Sequence, residues 1–184
     1  MPMEFVNKIN SLKVIKYLLT IFFGTIVLAI SSKVKIPFYP VPMTMQTLVV
    51  LLIGIGFGWK IGLGTVSLYL LEGIIGLPVF AGTPEKGVGL IYFTGPTMGY
   101  LIGFLITVFL VGKFNYTNLI STLFKITFAT SFIYIFGIMW LGMLIGWDKP
   151  VFKLGVLPFI SAEVFKIIIA SLVATKIAKF RNLF

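Results

Sequence analysis

Residues 158–178, PFISAEVFKIIIASLVATKIA, decide the fold because they combine the length and apolarity of a membrane-spanning helix with an acid and a base in its interior. A spanning helix needs about 20 mostly apolar residues. Glu163 and Lys166 are three residues apart, which on a helix places them on one face with roughly 5–6 Å between their Cβ atoms. Charges are costly in hydrocarbon, so such residues usually face a protein interior or a ligand. We therefore predict that this face borders a binding site.

The same apolar character extends over the whole chain. Of 184 residues, 59% are hydrophobic and 11% are charged, whereas soluble domains have about 45–50% and about 25%. The expected fold is an all-α membrane protein, a compact bundle of six transmembrane helices with structured outer loops, in one transmembrane domain over residues 1–184. The spans are predicted at about 14–30, 43–57, 61–76, 95–111, 119–145 and 158–178.

The absence of cysteine and histidine limits the possible chemistry. It excludes disulfides, thiolate nucleophiles and His/Cys metal sites. It also removes the commonest general base, so we expect no enzyme and no cofactor on this chain. The net charge of +10 comes from bases at the ends of apolar segments, with one arginine in the chain. Membrane orientation explains that pattern better than nucleic-acid binding does.

The distribution of bases predicts the orientation of the chain in the cell membrane. Six spans place both termini on one side, and the positive-inside rule assigns the more basic side to the cytoplasm. The side of the termini would hold nine bases: Lys8, Lys13, Lys16, Lys60, Lys113, Lys125, Lys176, Lys179 and Arg181. The other side would hold five: Lys33, Lys35, Lys86, Lys149 and Lys153. A multi-pass protein with cytoplasmic termini is therefore expected.

Three segments should meet at the outer face: a proline-rich loop near Pro37 and Pro40, a glycine-rich loop at 77–95, and the start of the last helix. Each polar candidate there has a structural alternative. Glu163 and Lys166 contact a ligand or neutralise one another. Thr44 and Gln46 contact a ligand or bond between helices. For Glu72 we favour pairing with an outer lysine over lining a cavity.

Further candidates lie in the outer loops and at the start of the fourth helix. Unpaired N–H groups at a helix N-terminus favour anions, so Thr97 and Tyr100 could help backbone amides hold a carboxylate. The alternative is a glycine turn with close helix packing. Gly82 and Thr83 open a loop that lacks the Lys-Ser/Thr ending of a nucleotide loop. The aromatic candidates Tyr39 and Phe80 fit an interfacial belt or an apolar wall.

Four motifs resemble those of the BioY family of biotin transporters, in the same order and over almost the whole chain. PMTMQTL at 42–48 resembles P-x-T-x-Q-T, and GLPVFAG at 76–82 resembles G-L-P-V-F-A-G. GPTMGYL at 95–101 resembles G-P-T-G-G-Y-L, with Met98 at a family glycine. GVLPFISAEVFK at 155–166 resembles G-x-x-P-F-x-x-x-D-x-x-K, with Glu163 at the family aspartate.

The resemblance implies biotin uptake by a high-affinity biotin-binding S component of an energy-coupling-factor transporter, with biotin captured from outside. It implies a transmembrane coupling protein and two ATPases as partners, and ATP only on those partners. The coupling protein would dock on small residues of the first helix, here Gly24 and Ala29. The alternatives are an S component for another vitamin, a solitary facilitated biotin transporter, or a scaffold whose charged pair is only structural.

Biotin's chemistry fits the charged pair. The ureido ring offers two N–H donors and one carbonyl acceptor. Glu163 would accept from an N–H, and Lys166 would donate to the carbonyl or help to hold the acid. The valerate carboxylate would point toward the glycine-rich loop and Thr97. Glu163→Gln and Lys166→Ala are each expected to weaken biotin binding.

Overall fold

The computed structural model of the protein describes residues 3–82 and 89–184, with side chains from residue 12 onward. Its elements, in chain order, are α1 (Met3–Lys33), β1 (Lys35–Ile36), β2 (Met43–Thr44), α2 (Gln46–Ile74), α3 (Met98–Lys113), α4 (Leu119–Ile145), α5 (Val151–Gly155) and α6 (Ile160–Ile177). Short 3-10 helices occupy Gly89–Thr94, Leu157–Phe159 and Ala178–Leu183. The protein is mostly helical.

Helix α2 consists of two antiparallel halves that reverse at Gly58. This glycine has φ 79° and ψ 173°, which are not helical values. Residues that carry a Cβ rarely adopt a positive φ, so glycine suits this turn. Gln46 Nε2 donates to Tyr69 Oη at 2.7 Å, whereas a continuous helix would separate these residues by about 34 Å. The two halves lie where the sequence predicts the second and third helices.

The ends of several helices differ from the predicted bounds. Helix α1 begins at Met3 rather than near residue 14, and α3 begins at Met98 rather than 95 because a 3-10 helix precedes it. The first half of α2 begins at Gln46 rather than 43, since Met43–Thr44 pairs with Lys35–Ile36 as an antiparallel hairpin. Its second half ends at Ile74 rather than 76, and α6 spans Ile160–Ile177 rather than 158–178.

Helix α4 has the predicted bounds, which follow from local signals at both ends. The side chain of Asn118 accepts a hydrogen bond from the backbone N–H of Ser121 at 2.8 Å and so caps the first turn. Gly146, with φ 92°, ends the helix.

Glycines permit the close packing that holds the bundle together. A Cβ on Gly103 of α3 would lie 2.5 Å from the Cα of Ile133 in α4. A Cβ on Gly112 would lie 2.4 Å from the backbone N of Trp59. In lipid, helices associate through such close contacts because burial of apolar surface gives little driving force there.

Four stretches in the described part of the chain are long and apolar enough to span a membrane: Leu12–Lys33, Gln46–Ile74, Leu119–Ile145 and Val151–Leu183. Helix α3 is a shorter apolar helix. Many apolar side chains of α1 are exposed, including Leu18, Phe22 and Ile26. These features describe a multi-pass membrane protein whose apolar outer surface faces lipid.

Contacts between loops distinguish two ends of the bundle. At one end, Lys33 Nζ donates to Phe80 O at 2.6 Å, and Trp140 Nε1 donates to Gly95 O at 2.8 Å. We call this the cavity end. At the opposite end, Arg181 bonds to carbonyls in the last turns of the first half of α2 and of α3. Lys16 Nζ of α1 donates to Leu183 O at this second end.

Candidate functional site

A cavity lies between α2, α3, α4 and α6 at the cavity end. The hairpin and the loop before residue 82 form its outer wall. Seven of the predicted site residues line this cavity: Thr44, Gln46, Phe80, Thr97, Tyr100, Glu163 and Lys166. Residues from opposite ends of the sequence therefore meet around one space.

Glu163 and Lys166 form an ion pair at the inner wall of the cavity. Lys166 Nζ lies 3.3 Å from Glu163 Oε2, and the two residues are 4% and 5% exposed, respectively. Thr47 lies between them: its hydroxyl donates to Glu163 Oε2 at 3.1 Å and accepts from Lys166 Nζ at 2.8 Å. Lys166 also donates to Thr44 O at 2.8 Å. All three ammonium hydrogens can thus be used within the protein.

The two carboxylate oxygens of Glu163 differ in their environments. Oε2 accepts from Thr47, from Lys166 and from Tyr134 Oη at 3.0 Å. Oε1 is buried and has no hydrogen-bond partner among the described residues. A buried charged acceptor without a donor is costly. Because Glu163 lines the cavity, a ligand N–H is the donor that would remove this cost.

The amide of Gln46 is held by the protein rather than left free. Its Nε2 donates to Tyr69 Oη, which in turn donates to Val79 O at 2.9 Å. Thr44 Oγ1 donates to Gln46 Oε1 at 3.1 Å. The interhelical alternative for Gln46 is therefore realised, although its side chain still borders the cavity.

Aromatic rings form much of the remaining wall. Phe80 stacks on Tyr92 with 4.5 Å between ring centroids. Tyr100 donates its hydroxyl to Gly155 O at 2.8 Å, so its ring rather than its hydroxyl is presented as wall. Phe159 packs beside Tyr100 and Tyr134. Rings with their polar atoms already bonded make an apolar pocket with few polar groups, as small-molecule sites generally have.

A second cavity, of about 310 Å³, lies outside the first, and Tyr39 and Gly82 line it. Thr97 lines both cavities, together with Pro42, Ala81 and Tyr92. Burial raises the pKa of Tyr92, so its phenol stays neutral. The remaining predicted site residue, Thr83, lies outside the described residues, as do Glu85 and Lys86.

Sequence reasoning missed two residues that touch Glu163. Thr47 lies in the PMTMQTL segment and is not among the predicted site residues, although its hydroxyl next to Gln46 indicates a polar position. Tyr134 lies in an apolar helix, where the only signal is that a buried tyrosine usually needs a partner for its hydroxyl. Its partner is 29 residues away in sequence, so spacing alone could not identify it.

Glu72 bonds to α1, since its Oε1 accepts a hydrogen bond from Thr25 Oγ1 at 2.9 Å. In the described part of the chain it has no ion pair and does not line either cavity. The favoured pairing with an outer lysine is therefore not found among the described residues, and Lys86 lies outside them.

Tyr134→Phe is expected to weaken ligand binding because the carboxylate loses one of its three donors. Thr47 and Lys166 remain, so we expect a loss of roughly three- to tenfold, consistent with about 0.5–1.5 kcal/mol for a hydrogen bond. Isothermal titration calorimetry of the purified protein would measure it.

Tyr116→Phe is the matched control for Tyr134→Phe. It removes a tyrosine hydroxyl bonded to Val111 O at the opposite end of the bundle, so affinity should stay at the wild-type value. An equal loss in both variants would contradict a specific role for Tyr134.

Comparison with known proteins agrees with this architecture. The family model described as "BioY family" matches residues 5–182. A Pyrococcus horikoshii protein named "Probable biotin transporter BioY" is 35% identical over 154 residues, covering 81% of this chain and 88% of its own. The Thermotoga maritima "Biotin transporter BioY" is 31% identical over 157 residues, covering 84% and 91%.

A solved structure is also similar. It is the crystal structure of the S-component for biotin from an ECF-type ABC transporter. The two chains superpose with a TM-score of 0.75 at 28% identity, and the match covers 91% of this chain and 93% of that one. The similarity therefore extends over the whole bundle.

Proposed function

The chain belongs to the BioY family, and we propose on that basis that it takes up biotin, holding the vitamin in the cavity beside Glu163. Family membership supplies the ligand class. The single observation that carries the proposal is Glu163 Oε1, a buried charged acceptor in the cavity wall without a donor among the described residues.

Biotin's ureido ring supplies the missing donor. One of its N–H groups would donate to Glu163 Oε1 in a charge-assisted hydrogen bond, which is stronger than a neutral one. The sequence left two roles open for Lys166. Its contacts with Thr44, Thr47 and Glu163 favour the second, in which the ammonium holds the acid in place.

The rest of biotin is apolar apart from its carboxylate. Its fused thioether ring and valerate chain would contact the aromatic walls of Phe80, Tyr100 and Phe159. The carboxylate would then lie toward Thr97, where the inner cavity meets the outer one. Ligand sites commonly combine an apolar wall with a few fixed polar groups.

The proposed membrane topology has six spans with both termini in the cytoplasm. Counting the two antiparallel halves of α2 separately, the apolar helices α1, α2, α3, α4 and α6 supply six crossings. The end that holds Lys16 and Arg181 carries the larger number of bases, which supports a cytoplasmic location. The cavity end then faces outward, where external biotin arrives.

We expect this chain to bind and carry biotin without changing it chemically. It would need no cofactor of its own, and ATP would bind only to two ATPase subunits that act through a transmembrane coupling protein. The S-component match supports such partners. The exposed apolar face of α1 is available to the coupling protein. Gly24 is not part of that face, because a Cβ there would lie 2.6 Å from Thr65 Cγ2.

Calorimetric titration of the purified protein tests the proposed function. Biotin should bind saturably and raise the unfolding temperature, because a ligand that binds only the folded state stabilises it. Riboflavin and thiamine should do neither. Stabilisation by one of these vitamins in place of biotin would assign another substrate. Absence of any saturable binding would favour the scaffold alternative.

A further inference from the structure

The inner and outer cavities adjoin one another through four shared wall residues, and the unpaired acceptor lies in the inner one. Glu163 lines the inner part only, whereas Pro42, Ala81, Tyr92 and Thr97 line both parts. Tyr39, in the wall of the outer part, is 90% exposed. A ligand anchored at Glu163 therefore has room beyond its far end before it reaches solvent.

The outer cavity has walls that the fold holds in place. The β1–β2 hairpin supports one side, and Phe38 packs edge-on against Phe159 with 6.1 Å between centroids. On the other side, the carbonyl of Phe80 accepts from Lys33 and that of Ala81 accepts from Lys35. Tyr92 is fixed by its stacking on Phe80. The volume of the outer cavity, about 310 Å³, is at the lower end of the range for small-molecule sites, about 300–1,000 Å³.

The charge of the outer cavity indicates what would fit there. Lys35 lines it, and no acidic side chain among the described residues does. The inner cavity holds both Glu163 and Lys166, but the buried polar atom of its wall that lacks a partner among the described residues is a carboxylate oxygen. A ligand with N–H donors at its inner end and a carboxylate at its outer end matches both.

We propose that the protein also binds biotin amides, with the biotin part in the inner cavity and the substituent on its carboxyl carbon in the outer cavity. The inference rests on the proposed function because it takes the ureido ring to be held at Glu163. The amide linkage would lie at the junction of the two cavities, beside the small side chains of Pro42, Ala81 and Thr97. Biotin joined through its carboxyl to the ε-amino group of lysine, biocytin, is the simplest ligand that places a carboxylate outside.

Titration of the wild-type protein with biotin and with biotin-free biocytin tests the inference directly. Biocytin should bind saturably, within about a hundredfold of biotin. The 5-aminopentyl amide of biotin, which keeps the chain but lacks the outer carboxylate, should bind more weakly than biocytin. Biotin binding without biocytin binding would overturn the inference and leave the proposed function standing. Failure of both ligands would overturn the proposed function.

Substitutions at two neighbouring residues test whether the substituent on the carboxyl carbon of biotin lies in the outer cavity. Leu90 and Ile91 share one 3-10 helix and are each 68% exposed, but only Ile91 lines the outer cavity. Ile91→Trp should weaken biocytin at least tenfold and leave biotin within twofold of wild type. Leu90→Trp should change neither. Equal affinities for biocytin in the two variants, or an equal loss of biotin and biocytin in Ile91→Trp, would contradict this placement.

Discussion

Glu163→Gln is expected to lower the affinity for biotin by roughly ten- to a hundredfold. The substituted amide keeps an acceptor but loses the negative charge, and a hydrogen bond to a charged group is worth about 1.5–3 kcal/mol. Lys166 would also lose its counter-charge while 4% exposed. Calorimetry of the purified protein measures the change. Wild-type affinity in this variant would refute the role of the carboxylate.

Glu72→Gln is the matched control for this result. It makes the same change in a membrane-embedded acid that bonds to Thr25 and does not line the described cavities. Its biotin affinity should equal that of the wild type.

If Glu163→Gln proves too unstable to titrate, Glu163→Asp preserves the ion-pair charge while shortening the side chain by one methylene. We expect an intermediate affinity from it; wild-type affinity would show that the position of Oε1 is unimportant.

Arg181→Met is expected to produce the largest loss of stability. The guanidinium donates to Ile55 O at 2.8 Å and to Val111 O at 2.9 Å, with further bonds to Gly54 O and Phe114 O. Gly54 and Ile55 lie in the last turn of the first half of α2, and Val111 and Phe114 lie at the C-terminal end of α3, where helix carbonyls lack internal donors. A cation near a helix C-terminus is also favourable electrostatically. One side chain thus donates hydrogen bonds to backbone carbonyls at the C-terminal ends of two helices.

The magnitude follows from the number of bonds. Losing even two hydrogen bonds from a charged donor costs about 3–6 kcal/mol. At about 2–4 °C per kcal/mol for a chain of this size, the unfolding temperature should fall by roughly 6–24 °C. Thermal unfolding in detergent measures the shift. Biotin affinity of the folded variant should be unchanged, because Arg181 lies at the end opposite the cavity.

Lys179→Met is the control for Arg181→Met. Lys179 is an exposed cation in the same short helix, and no hydrogen bond from its side chain is found among the described residues. Its removal should leave the unfolding temperature almost unchanged. Arg181→Lys should recover only part of the stability, since an ammonium lacks the planar fork of donors. Equal shifts in the arginine and lysine variants would contradict a specific role for the guanidinium.

The membrane class, the apolar helices and the charged pair could be predicted because each depends on residues close together in sequence. The cost of charge in hydrocarbon requires Glu163 and Lys166 to be sheltered, and helical spacing puts them on one face. The bounds of α4 follow from Asn118 and Gly146 in the same way. Local solvation and local backbone preference are enough for these features.

Only the tertiary structure determines which donors form hydrogen bonds with Glu163 and which cavity lies beside it. Thr47 and Tyr134 lie 116 and 29 residues away from Glu163 in sequence, and Glu72 bonds to Thr25, 47 residues away. Such pairings depend on the rotation and axial position of each helix, which the packing of all the helices sets together. The outer cavity arises in the same way, so it is not evident from any single stretch of the chain.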